Sequence, residues 1–108
     1  MHEWTFFSNY AHVIFLVAED GDITVREMSK RIGITERAVQ RILAVFTETG
    51  YINITKNGRQ NHYQIDSSLS LKHPIEKHIS IGQLTDFIKK WLVNCRPMVA
   101  KTKTIIKT

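Results

Sequence analysis

A single cysteine, Cys95, stands in 108 residues. That excludes an internal disulfide and a zinc site built on cysteine pairs, and nothing else in the chain asks for an oxidising compartment. Long apolar runs are missing too. The longest, residues 13–18, is far short of the roughly 20 residues a membrane-spanning helix needs. No basic stretch precedes an apolar one near the N-terminus, so no secretory leader is expected. These absences predict a cytoplasmic protein with no membrane partner. Internal repeats and low-complexity tracts are absent. So is any grouping of nucleophile, base and orienting residue, any phosphate-binding loop and any HExxH pair. The five histidines (His2, His12, His62, His73 and His78) show no metal-ligand spacing. The chain is therefore expected to be no enzyme and to hold no metal and no cofactor.

Positive charge is missing from one part of the chain. Residues 1–23 carry Glu3, Glu19, Asp20 and Asp22 but no Lys or Arg. Over 24–65 there are seven Lys/Arg against three acids, and over 66–108 eight against three. The net charge of +5 and pI near 9.6 favour a polyanionic partner. The distribution says more than the total, because the basic excess begins where a helical pattern with capping signals begins. A length of 108 residues is enough for one hydrophobic core and not two.

Five elements are legible. Tyr10, Val13, Ile14 and Val17 fall at i, i+3, i+4 and i+7, predicting a helix over 8–18 with Ser8 or Asn9 as N-cap. Phe15 and Leu16 extend its apolar surface beyond that stripe. After the turn residues Glu19-Asp20-Gly21-Asp22, the capping box Thr24-Val25-Arg26-Glu27 opens a second, short helix. Gly33 closes it. Thr35 caps a third helix at once, and Val39, Ile42, Leu43 and Phe46 give it a 3.6-residue stripe that ends at Gly50. Two helices joined by a glycine-centred turn form a helix-turn-helix. Two β-rich runs then flank Asn57-Gly58, predicting a hairpin with that dipeptide as its loop. In the connecting loop, 66–79, His73-Pro74 is read as the start of one short helical turn. Ser80-Ile81-Gly82-Gln83 is a second capping box. The helix behind it carries Ile81, Leu84, Phe87, Ile88, Trp91 and Leu92 on one side and is expected to end near Asn94, ahead of Arg96-Pro97. The expected fold is mainly α with a small β-hairpin, a winged helix-turn-helix of the α+β class with an extra C-terminal helix. Its predicted divisions are a core over 1–65, a loop over 66–79, the last helix over 80–95 and a mobile basic tail over 96–108.

On the third helix, the side opposite the apolar stripe holds Arg37, Gln40, Arg41 and Ala44, with Thr35 and Glu36 at its start. Major-groove base edges are read by such groups: Arg pairs bidentately with guanine and Gln with adenine. Charged residues are ordinary on a solvated helix face. Here, though, the face follows a capped helix and precedes a hairpin, the order of a DNA-reading unit. The hairpin tip, with Lys56, Asn57, Arg59 and Asn61, has two cations, several amides and no acid, which suits a phosphate backbone or a minor groove. These residues predict double-stranded DNA as the partner. The alternative reading from another class is a winged helix that docks a protein, its basic face incidental.

Residues 22–65 resemble the winged helix-turn-helix core of MarR-like transcription regulators. More narrowly, Trp4-Thr5-Phe6 and the run His73-Pro74-Ile75-Glu76-Lys77-His78 resemble features of short stand-alone members. The resemblance implies a DNA-binding regulator, usually dimeric, whose third helix reads the site and whose hairpin is the wing. Larger members have long helices at both ends for sensing small molecules. This chain has one helix at each end, which gives no ground for an effector. A homodimer is expected through the apolar residues left over on the terminal helices, Phe15, Leu16, Leu84, Phe87, Ile88 and Trp91, since soluble monomers avoid large exposed apolar patches; the alternative is that the last helix folds back on its own domain and covers the first within one chain.

Overall fold

The structure is a computed structural model that describes residues 4–100, and side chains through residue 90. Its elements run α1 (Asn9–Glu19), α2 (Val25–Ile32), α3 (Glu36–Thr49), β1 (Ile52–Asn57), β2 (Gln60–Ile65) and α4 (Ile81–Ala100). This is the winged helix-turn-helix arrangement of the α+β class. The helix starts follow from local chemistry. Thr24 Oγ1 accepts from the Glu27 amide at 3.0 Å and Thr35 Oγ1 from the Ala38 amide at 3.0 Å, each satisfying a first-turn donor that has no partner inside its own helix. Ser80 and Gln83 form the full reciprocal box, with bonds of 3.1 and 2.9 Å. At α1 the N-cap is Ser8, and its side chain makes no capping bond.

The core is built on α1, whose Val13, Ile14, Phe15, Leu16 and Val17 are all buried. Five consecutive buried residues mean that α1 is covered on every side. Met28 of α2, Val39, Ile42 and Leu43 of α3, and Ile52 and Tyr63 of the hairpin pack around it. The remaining side is covered by α4, which lies against α1 in the same chain and buries Ile81 there, with Leu84 and Ile88 packed alongside. Of the two arrangements open to the terminal helices, the fold-back within one chain is the one seen here. Phe15 and Leu16, at 8% and 7% exposed, are interior residues of one chain, and Leu84 and Ile88 are part of the same packing. A helical stripe reveals that a face must be buried but not against what; here α4 packs on α1, and Phe7 meets Phe15 edge to face at 5.0 Å. Of the five whose side chains are described, Phe87 alone stays largely exposed, at 60%; the Trp91 side chain lies outside those described.

Three further expectations shift. The strands pair antiparallel with Asn57 opposite Gln60, so the two-residue loop is Gly58-Arg59 and not Asn57-Gly58. Gly58 has φ +70°, and among the described residues no non-glycine residue has positive φ. That is the pattern of a type II′ turn, with glycine first, whereas a type I′ turn needs positive φ at both central residues. Residues 73–79 form two successive turns, Glu76 N–H to His73 O and Ile79 N–H to Glu76 O, and not a helical turn. Finally, α4 passes through Pro97 to Ala100 where an end near Asn94 was expected. A proline removes one backbone donor and bends a helix, but one missing bond need not end it. Residues 96–100 are thus helix, and the rest of the expected tail, 101–108, lies outside the described residues.

The loop between wing and α4 is pinned. Asp66 N–H bonds Tyr51 O, Leu71 N–H bonds Ile79 O, Ile81 N–H bonds Leu69 O at 2.7 Å, and the Tyr51 hydroxyl donates to Ser70 O. These bonds close the loop on itself and seat the first turn of α4.

Candidate nucleic-acid interface

Helix α3 buries Val39, Ile42 and Leu43 and leaves Arg37, Gln40, Arg41 and Ala44 exposed. The separation follows from the 3.6-residue period, which sends the two sets to opposite sides. Among the described residues, neither Arg37 nor Arg41 has an ion-pair partner, so both guanidinium groups keep their donors free. Thr35 stands at the start of α3, but its hydroxyl is committed to the cap. Glu36, exposed beside it, sits in the first turn, where a carboxylate is favoured by the helix dipole.

The wing presents Lys56, Asn57 and Arg59 at its exposed tip, and neither cation is paired among the described residues. Asn61 departs from the tip set. It pairs with Lys56 across the strands and shares a face with Ile54 and Tyr63, and its amide donates to the Tyr63 hydroxyl at 3.4 Å while Oδ1 is buried without a partner. Asn61, Ile54 and Tyr63 line one cleft with Gln40, Ala44 and Thr47 of α3. The face of α3 that bears Gln40 and the inner face of the wing therefore meet in a common angle. Ile54 and Thr47 belong to that angle and are not singled out by sequence, because an isolated Ile in a strand and a Thr in a helix carry no signal of their own.

Two contacts also invisible in the sequence hold the wing to the body. Tyr63 N–H bonds Gly21 O at 2.8 Å, and His62 Nδ1 lies 2.7 Å from Asp22 Oδ1. Both reach from β2 back to the α1–α2 turn, about forty residues earlier. A Cβ added to Gly21 would sit 2.8 Å from the Tyr63 carbonyl oxygen, so the close approach requires glycine there. Nearby, Arg31 of α2 pairs with Glu19 at 3.2 Å and ties α2 to the end of α1. Together these contacts fix the wing relative to the helix pair that carries the reading face.

Among the described residues Arg37, Arg41, Lys56 and Arg59 have no ion-pair partner, and Gln40 lies exposed on α3 between the two arginines in sequence. Hydrogen-bond donors in this number suit a duplex, where phosphates take the charge and base edges take the bidentate groups. Among the described residues no three His, Cys, Asp or Glu side chains come together as a metal site, and no helix is long and apolar enough to cross a membrane. Residues 12–53, from α1 into β1, match the family model of winged helix-turn-helix DNA-binding domains. No curated protein and no solved structure matches the chain.

Proposed function

From the premise that this chain is a sequence-specific DNA-binding regulator of the winged helix-turn-helix class, we propose that α3 enters the major groove and that Arg37, Gln40 and Arg41 read base edges there. Thr35 and Glu36 set the start of the reading helix. Lys56, Asn57 and Arg59 hold the adjoining backbone or minor groove, and Asn61 acts from behind by bracing the wing on Tyr63. The observation that carries this reading is the exposed, unpaired set Arg37, Gln40 and Arg41 on the side of α3 opposite its buried stripe. No catalytic step is assigned.

The narrower kinship, to short MarR-like regulators, rests on Trp4-Thr5-Phe6 and the run 73–78, both outside the matched residues 12–53. That kinship supports a homodimer, in which two copies of α3 meet half-sites about one turn of DNA apart, roughly 34–36 Å. A mobility-shift titration tests the DNA reading. Binding to duplexes drawn from a random pool should enrich one site, and its affinity should fall steeply with salt. Enrichment of no sequence would contradict base reading.

A further inference from the structure

Between α3 and the wing lies a cleft of about 270 Å³. Gln40, Ala44 and Thr47 stand at i, i+4 and i+7 of α3, so they form one stripe along it. Strand alternation puts Ile52, Ile54 and Lys56 on one face of β1. Ile52 is buried in the core and Lys56 is exposed at the tip. Ile54 stands between them, 42% exposed and lining the cleft. The fold therefore sets an apolar side chain on the inner face of the wing and leaves it open.

What the cleft lacks narrows what it can take. No Lys, Arg, Asp or Glu lines it, and Arg37, Arg41, Lys56 and Arg59 all stand outside it. A phosphate cradle calls for cations. Guanine is best matched by Arg or Lys, and the cytosine amine by Asp or Glu. The cleft has none of these. Its polar groups are mostly engaged as well. The Thr47 hydroxyl donates to the Ala44 carbonyl at 2.9 Å, so that donor is committed to the backbone. Asn61 donates to the Tyr63 hydroxyl and its Oδ1 is buried, which leaves Gln40 as the exposed side-chain amide of the cleft.

We propose that this cleft seats the 5-methyl group of a thymine, held by Ile54 of the wing and Ala44 of α3, beside the adenine that Gln40 pairs with. The inference rests on the DNA reading above and adds to it a base-reading residue in the wing, whose tip handles charge. The thymine methyl is the one apolar group that base pairs present in the major groove, and a side-chain amide is the bidentate partner of adenine N6 and N7. An exposed isoleucine and alanine beside an exposed glutamine therefore select A·T pairs. Ala44 matters by its size, because a longer side chain one turn on from Gln40 would fill the space that the methyl takes.

The test takes the duplex enriched from a random pool and replaces its thymines one at a time with deoxyuridine, which removes the methyl and keeps the pairing. At one or two positions the full wild-type chain should bind about 4-fold more weakly, which is what burying a single methyl group contributes. Ile54→Thr keeps a β-branched residue in the strand. In that variant the same replacements should weaken binding less than about 2-fold, since the methyl has lost its apolar partner. Each chain is compared with itself on thymine and on uracil, so any loss of folded protein cancels. An enriched site without thymine, wild-type binding indifferent to every replacement, or an Ile54→Thr chain as sensitive as the wild type would overturn the proposal. Those results leave base reading by Arg37 and Arg41 standing, whereas a pool that enriches no sequence removes that reading together with this one.

Discussion

Arg37 and Arg41 have no carboxylate to neutralise them among the described residues. Replacing either with Ala should cost about 1–3 kcal/mol on the preferred duplex and relax selectivity at one base pair. Equal losses on preferred and random duplexes, measured by parallel titration, would reduce both residues to phosphate binders. At the foot of the wing, Asp66 illustrates a smaller local effect. Its Oδ1 accepts from the Ser68 hydroxyl at 2.7 Å and the Ser68 amide at 3.1 Å. These bonds, the hydroxyl first, hold the carboxyl below the usual aspartate range. The folded form thus favours the carboxylate, so the contribution is present above the ordinary aspartate range and fades as pH falls through the lowered value. Ser68→Ala should bring the Asp66 titration back up, as followed by carboxyl-carbon NMR. An unmoved titration would assign the shift elsewhere.

The wing acts as an element, through charge and through how it is held. Lys56→Ala with Arg59→Ala should weaken binding to every duplex and lower the salt slope by about 0.9 for each phosphate that is no longer neutralised. A double mutant with an unchanged slope would show that the wing tip stands off the DNA. Gly21→Ala should push Tyr63 and His62 outward, because the new Cβ meets the Tyr63 backbone carbonyl at 2.8 Å. The expected loss is on the order of 1–3 kcal/mol of stability, by denaturant unfolding, with weaker binding to all sequences. Unchanged unfolding would mean that the α1–α2 turn yields freely. Elements such as these are unevenly legible in the sequence. Helices α2 and α3 declare themselves because caps, stripe and closing glycine all lie within one short stretch of chain. The hairpin is legible with its loop one residue early, since the dipeptide signal cannot say which of two glycine-bearing turns forms. The clasp of Asp22 on His62 and the covering of α1 by α4 leave no local trace, because both join residues far apart in sequence. For the same reason Phe15 and Leu16 look like an outward face. Arg37, Gln40 and Arg41 stand out because helical period alone separates them from the core, whereas Asn61 groups with the tip in sequence and only strand register turns it inward.

For the molecule as a whole, the charge division follows the architecture. The acidic stretch up to residue 23 builds α1, which is enclosed, while the basic excess after it supplies α3 and the wing. Among the described residues the cations of α3 and the wing tip, Arg37, Arg41, Lys56 and Arg59, are exposed and without ion-pair partners. The central claim is sequence-specific binding of duplex DNA through α3. It is tested most directly by taking the duplex enriched from a random pool and titrating it, against a scrambled duplex of the same length and composition, at physiological salt. The account predicts that the enriched site binds at least about 10³-fold more tightly than the scramble, and that Arg37→Ala with Arg41→Ala collapses most of that ratio. Equal affinity of the wild type for both duplexes would contradict it.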